Sequence, residues 1–345
     1  MNVEEKVALF TGGDGVIDRK TAVSLIKRID SIRLHAHSYT FILNMTHGAM
    51  VPADLLEFAY QHELQGINLH IDDGGDSSLA NSDAAALARF KAQAEQLNLA
   101  VHLEASHTHQ AEVDRIVRIA RAMGVQNIRV YPRYEGTISE VMARIAADLR
   151  YMADIADRYD LYFDLEQHET IKSGEILHLI QEADHPRLRT LFDFTNMINT
   201  DERPLTALHT LAPTIRQVHL KGAKKLKEGD GYGQLGVVQG SAADEMPYAQ
   251  MLYELLLLGE TEPQLICFAL EQEVNYYAPA YRYQNEGDDP FIPFKTPSVT
   301  PFDNTKAAML FLDEKRWAVN QVHFIKSLLA ELKGLAQDLL FHPSE

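Results

Sequence analysis

Four short apolar runs in this 345-residue chain each end in a residue able to hold a metal ion. They are Tyr162-Phe-Asp-Leu-Glu166, Thr190-Leu-Phe-Asp193, Ile215-Arg-Gln-Val-His219 and Leu265-Ile-Cys-Phe-Ala-Leu-Glu271. β-Branched and aromatic residues bounded by polar or turn residues form the pattern of buried strands. A carboxylate at the end of such a strand is costly to desolvate unless a cation accompanies it. Two Glu, one Asp and one His from four strands would make a divalent-metal site of hard oxygen and nitrogen ligands. Such an ion keeps positions open for substrate oxygens and acts as a Lewis acid toward the negative oxygen of an enediolate. A carboxylate beside it can still serve as general base or acid. Any one of the four could be a strand-end residue facing solvent; the whole set in this order argues for a site.

Those runs belong to a longer alternation of strand and helix. Strands are expected at Phe41–Met45, Gly66–Asp72, Leu99–Ser106, Asn127–Pro132, Leu161–Glu166, Arg189–Asp193, Ile215–Leu220 and Gln264–Glu271. Helical patterns such as Asp76–Gln96, Glu112–Met123, Ser139–Arg158 and Ser173–Ala183 lie between them. Eight such units predict an α/β fold, a (β/α)₈ TIM barrel, read as one domain. The expected layout is an N-terminal extension over residues 1–36 with a helix Arg19–Ser31, a barrel over 37–273, and a lid loop followed by a long C-terminal helix over 274–345. That last helix is expected at Thr305–Leu340, and the Tyr- and Pro-rich stretch 274–300 either covers the barrel mouth or packs the helix onto the barrel. A doubly wound sheet is disfavoured because no Gly-rich turn follows the first strand. The run Thr11-Gly-Gly-Asp-Gly15 precedes that strand and reads as a turn.

Composition narrows the partners. The chain is 46% hydrophobic and 23% charged, which suits a soluble globular protein with a large core. A net charge of −17 repels phosphate backbones and anionic membranes, so neither nucleic acid nor membrane is an expected partner. Met1-Asn-Val-Glu-Glu lacks a basic start and an apolar stretch, and no run approaches the roughly 20 residues of a spanning helix, so a cytoplasmic location is expected. Cys267 is the single cysteine and reads as an inert core residue.

Side chains two apart on a strand share a face. Inward Glu166 therefore brings Asp164 and His168 with it, His219 brings Lys221, and Glu271 brings Glu273. His70 and Asp72, and His102 and Glu104, share inward faces too, as substrate contacts or as a satisfied polar layer. Of His35, His37 and His47 only His47, at the expected strand end, is a site candidate. Lys221, Lys224, Arg133 and Arg282 fall in loops expected at the mouth of an acidic protein, which suggests an anionic substrate.

The segments Leu165-Glu-Gln-His-Glu169, Leu191-Phe-Asp-Phe-Thr-Asn-Met197, Val218-His-Leu-Lys221 and Leu270-Glu271 resemble the xylose-isomerase-like TIM-barrel superfamily of sugar isomerases and epimerases over roughly residues 37–273. The resemblance implies that Glu166, Asp193, His219 and Glu271 bind one divalent ion (manganese, magnesium or cobalt) and that the two Glu handle protons. Two departures from the ketose 3-epimerase pattern stand out: Asn196 replaces a His, and Lys221-Gly-Ala-Lys-Lys225 replaces an Asp and Arg. The stretch Phe268-Ala-Leu-Glu-Gln-Glu-Val-Asn-Tyr-Tyr277 is similar to the branch holding 3-oxo-isoapionate decarboxylases. The expectation is therefore a metal-dependent carbohydrate enzyme working through an enediolate. Decarboxylation of a 3-oxo sugar acid comes first, and keto-sugar isomerisation or epimerisation by Glu166 and Glu271 is the alternative. Glu166, Glu271 and Lys221 are the expected catalytic residues; His168, Asn196, Arg133, Arg282 and His70 are expected to bind substrate. A zinc-dependent apurinic-site nuclease is disfavoured by the charge, and a non-catalytic sugar-binding barrel by the intact ligand set. A homo-oligomer is left open.

Overall fold

The computed structural model describes residues 19–294 and 307–341. The glycine run 11–15, residues 295–300 of the expected lid, and the first residues of the expected C-terminal helix lie outside them. Eight parallel strands close into a barrel: β1 Leu34–His37, β2 Gly66–His70, β3 Ala100–Ala105, β4 Asn127–Val130, β5 Tyr162–Glu166, β6 Leu188–Asp193, β7 Ile215–Leu220 and β8 Cys267–Leu270. Strand β1 pairs with both β2 and β8, which completes the ring. A register shift between Thr190 and Leu191 interrupts the β6–β7 ladder and leaves Asp193 opposite His219. The outward faces are apolar. Ile67, Leu103, Ile128, Phe163, Phe192 and Phe268 are all fully buried between strands and surrounding helices. Truncating one such Phe costs about 3–5 kcal/mol.

One expectation fails at the start of the barrel. Phe41–Met45 is helical, split between a 3₁₀ turn Ser38–Phe41 and a helix Ile42–Thr46, and the first strand is Leu34–His37. Phe41 and Met45, four apart, are buried while Ile42 is exposed, which is the helical period. Its amides also have a partner far away in sequence: Leu43 N and Asn44 N donate to Glu314 at 2.8 and 2.9 Å. Glu314 lies on the long helix Ala307–Phe341. That helix packs along the N-terminal helix Arg19–Ser31, with Lys333 Nζ 2.5 Å from Asp30. His47, expected at a strand end, instead caps Ile42–Thr46 and lies against Phe311 outside the barrel.

The mouth is covered by inserted segments. After β7 an antiparallel hairpin, Ala223–Glu228 with Gly231–Gly236, is joined by Tyr277–Ala278. A Cβ at Gly236 would lie 1.8 Å from the Glu273 carbonyl oxygen, so the close approach of these chains requires glycine there. The segment after β8 then crosses to the β4 side, where Phe291–Ile292 pairs with Gly136–Thr137. Among the described residues no helix is long and apolar enough to cross a membrane.

Candidate active site

The barrel interior is largely polar because β1 to β5 and β7 set polar inward residues such as His37, Asn68, Glu104, Arg129, Asp164 and Gln217 between apolar outward ones. At the C-terminal ends of β5, β6 and β7, and one residue past β8, the chain brings Glu166, Asp193, His219 and Glu271 together. One ligand atom from each lies within 4.8 Å of the others, and all four residues are buried. Each also carries one buried atom in no hydrogen bond: Glu166 Oε2, Asp193 Oδ2, His219 Nδ1 and Glu271 Oε2. Buried polar atoms are nearly always satisfied. One imidazole and three carboxylates converging from four strand ends fit a divalent cation.

The surrounding contacts fix which atom of each side chain faces the centre. Asp193 Oδ1 accepts from the backbone N–H groups of Thr195 and Asn196, both at 2.8 Å, which turns Oδ2 inward. His219 Nε2 lies 3.0 Å from Glu104 Oε1, so Nε2–H donates there and Nδ1 is left for ligation. Nδ1 lies 2.9 Å from Glu271 Oε2 and 3.4 Å from Glu166 Oε1. Asn196 donates to Glu166 Oε1 at 3.3 Å and accepts from Gln234 of the hairpin at 3.2 Å. Arg129 Nη2 approaches Glu166 Oε2 to 2.6 Å, an ion-pair contact outside hydrogen-bond geometry.

Charges in this dry space shift one another. Burial pushes Asp193 up to about 6 despite nearby Lys221. Burial also opposes ionisation of Glu271, but Lys221 and His219 outweigh it and hold that carboxyl well below its ordinary range. Burial disfavours the imidazolium of His219, and the carboxylates of Glu271 and Glu104 overcome it, raising that group well above its ordinary value.

Several expected residues are here and others are not. Lys221 faces inward, but its Nζ is committed to carboxylates: 3.1 Å from Asp193, 3.6 Å from Glu271 and 3.0 Å from Glu273. His168 is at the mouth, stacked on Tyr131 with centroids 3.9 Å apart. His70 is buried, with Nε2 2.7 Å from Ser106 Oγ; burial, with Arg129 nearby, lowers its pKa to about 3. Arg133 donates to the Tyr131 hydroxyl at 2.7 Å. Arg282 is a correction. Its guanidinium is 3% exposed and spent on Glu175 at 2.8 and 2.9 Å, on Glu286 and on the Thr170 carbonyl, so it pins the covering segment and offers no fork to a substrate.

Sequence reasoning did not place His37, Arg129 and Tyr131 in the site, and it read Glu104 as a substrate contact or a member of a satisfied polar layer. Glu104 accepts from His37 Nε2 at 2.9 Å and Asn68 Nδ2 at 3.0 Å in addition to His219. The signal was present: Asn127-Ile-Arg-Val-Tyr131 and His35-Ala-His37 alternate polar and apolar as half-polar barrel strands must. A surface cleft of about 460 Å³, lined by Arg118, Arg121, Tyr151 and Arg158, lies outside the barrel between two helices and is remote from this chemistry.

The closed ring of eight parallel strands, with its polar cluster at the strand ends, defines a (β/α)₈ barrel, and the sequence specifies which. Residues 56–267 match the family described as Xylose isomerase-like TIM barrel, and the chain belongs to that family. Its relatives include the uncharacterized protein YihM of Escherichia coli (strain K12), 40% identical over 322 residues that cover 93% of this chain and 98% of the relative. Among solved structures, a D-tagatose 3-epimerase-like protein superposes with a TM-score of 0.59 at 11% identity, over 88% of this chain and 99% of that one. The D-psicose 3-epimerase of Clostridium cellulolyticum H10, solved with D-tagatose, gives 0.59 at 13% identity, covering 86% and 99%. A Xylose isomerase-like TIM barrel protein from Mycobacterium smegmatis, solved in complex with magnesium, gives 0.56 at 12% identity, covering 89% and 99%. At such identities these structures share the fold.

Proposed function

We propose that this protein is a divalent-metal-dependent enzyme that isomerises or epimerises a keto sugar, with Glu166 and Glu271 as the proton-transferring pair. The observation that carries this reading is the convergence of Glu166, Asp193, His219 and Glu271, each with one buried atom outside any hydrogen bond. A bound Mn²⁺, Mg²⁺ or Co²⁺ would supply Lewis acidity toward the substrate's carbonyl and hydroxyl oxygens. Glu271, held ionised by Lys221 and His219, accepts a proton from the carbon beside the carbonyl. Glu166, reaching in from β5 and steadied by Arg129 and Asn196, faces the same space from another strand and returns a proton. His168 and Tyr131 form an aromatic wall for the sugar ring or chain, and His70 and Ser106 offer hydrogen bonds to hydroxyls. The solved epimerases that act on keto sugars have this barrel, which supports the class of substrate.

Decarboxylation of a 3-oxo sugar acid, of the 3-oxo-isoapionate type, would use one proton donor from the same pair. Its support was the departure at Asn196 and Lys221–Lys225 from the epimerase pattern and the likeness of Phe268–Tyr277 to that branch, with Lys221 as a partner for the substrate carboxylate. Lys221 is engaged by three carboxylates instead, which supports our preference for isomerisation. One experiment separates the two: NMR in D₂O with a panel of ketoses and ¹³C-labelled 3-oxo aldonates, with Mn²⁺ and with chelator. Metal-dependent deuterium uptake without loss of carbon is the expected result. Release of ¹³CO₂ would replace isomerase by carboxy-lyase, and no change in any substrate with metal bound would overturn both.

A further inference from the structure

The four basic residues expected at the mouth have different fates. Arg282 is consumed by Glu175 and Glu286, Lys221 by Asp193, Glu271 and Glu273, and Lys224 is exposed on the hairpin. Arg133 lies against Tyr131, beyond the end of β4, and among the described residues it pairs with no carboxylate. Its Nη2 donates to the Tyr131 hydroxyl, and its Nε–H is buried with no acceptor. In a chain of net charge −17, a half-buried guanidinium left without a counter-ion is unusual.

Its position ties it to the chemistry. Arg129, Tyr131 and Arg133 follow one another at two-residue spacing up the inner wall. Arg129 touches Glu166 at 2.6 Å, and its guanidinium and that of Arg133 lie 4.7 and 5.2 Å from the Tyr131 ring centre. The Tyr131 hydroxyl donates to Ser106 Oγ at 3.0 Å, so the hydroxyl is fixed from below while it accepts from Arg133 above. The guanidinium is thereby held in place, with its Nε–H left without an acceptor. Preorganised in this way, an arginine fork binds an oxyanion without first having to be ordered.

We propose that Arg133 recognises an oxyanion, a carboxylate or a phosphate ester, at the end of the sugar remote from its carbonyl. The inference rests on the proposed function only in placing the carbonyl end at the four converging ligands. It assigns the substrate to the charged sugars and moves charge recognition from Lys221 to Arg133.

The test is equilibrium binding to the Mn²⁺-loaded protein, by calorimetry, of a ketohexose, its terminal phosphate and its terminal carboxylate. The wild type is expected to bind one charged ligand at least tenfold more tightly than the neutral sugar, and which one wins identifies the oxyanion. In Arg133→Met that preference should fall at least tenfold, and Arg133→Lys should recover part of it. Metal content and Tm are measured alongside to show that both variants are folded and loaded. Equal affinity for all three ligands, or an unchanged preference in Arg133→Met, overturns the proposal. Should Arg133→Met not fold, inorganic phosphate decides on the wild type, since it must displace the charged ligand and leave the neutral one bound. Arg133-dependent anion binding with no proton exchange on any sugar would sink the isomerase reading and leave this one standing. Proton exchange on the neutral sugar without any anion preference would do the reverse.

Discussion

Replacing Glu104 by Gln should loosen the metal centre although Glu104 is not one of its ligands. Both oxygens of this fully buried carboxylate are occupied: Oε1 by His219 Nε2 and Asn68 Nδ2, each at 3.0 Å, and Oε2 by His37 Nε2 at 2.9 Å with Arg129 Nη1 at 3.4 Å. Glutamine has nearly the same shape but only one acceptor oxygen. If that oxygen serves His219, the amide hydrogens confront the N–H of His37 and the Arg129 guanidinium; if it serves His37, they confront His219. Either way one charge-assisted bond becomes a donor–donor contact, worth roughly 1.5–3 kcal/mol. Where the oxygen serves His37, His219 Nε2–H loses the acceptor that holds Nδ1 toward the centre. Changes of this kind typically cost about 10–100-fold in metal affinity, or ~1.4–2.8 kcal/mol. The assay is competition for Mn²⁺ with a chelating indicator at neutral pH, beside the Tm with and without metal. Glu104→Gln should bind Mn²⁺ at least tenfold more weakly, and excess Mn²⁺ should restore part of its lost Tm. A folded Glu104→Gln protein with affinity within about threefold of wild type refutes the claim that this carboxylate orients His219.

Three further outcomes follow from the same contacts. Lys221→Met removes a buried ammonium from among three carboxylates, so the metal-free protein should lose about 3–5 kcal/mol of stability while Mn²⁺ affinity rises; an unchanged denaturation midpoint would show that the lysine is not a structural counter-ion. His35 is buried, which lowers its pKa to about 4, so the unfolded chain takes up a proton near pH 6.5 that the native state refuses. Its contribution is fully present above about pH 6.5 and is lost at up to ~1.4 kcal/mol per pH unit as the solution is acidified toward pH 4, and His35→Asn should flatten urea-unfolding stability between pH 6.5 and 5. Arg282→Met cuts the ties from the covering segment to Glu175 and Glu286, so chymotrypsin should cleave among Tyr276, Tyr281 and Phe291 at least tenfold faster with Mn²⁺ affinity unaltered; equal cleavage rates would mean that other contacts hold the segment.

The barrel was legible because its outward residues had to be apolar. Phe163 and Leu165, Ile128 and Val130, and Ile67 and Leu69 mark strands wherever they alternate with polar neighbours. Strand β1 escaped because Leu34-His-Ala-His37 is short and half histidine, while Phe41-Ile-Leu-Asn-Met45 beside it is more hydrophobic. A five-residue apolar run has no length over which a period of 2 can be told from one of 3.6. What settles it as helix is the docking of Leu43 and Asn44 on Glu314, a contact across about 270 residues that no local pattern encodes.

The same division explains what was visible of the site. A carboxylate or imidazole closing an apolar strand signals its own desolvation cost, so Glu166, Asp193, His219 and Glu271 could be found one strand at a time. How a charge is compensated depends on pairs of strands, and this is where the expectations went astray. Lys221 and Arg133 each follow closely on a barrel strand, and Arg282 lies in the segment that covers the mouth. Lys221 finds Asp193, Glu271 and Glu273 around it, Arg282 finds Glu175 and Glu286, and Arg133 finds a tyrosine hydroxyl. Only the closed barrel, by setting which strand ends are neighbours, shows which of these cations has carboxylates around it and which has not.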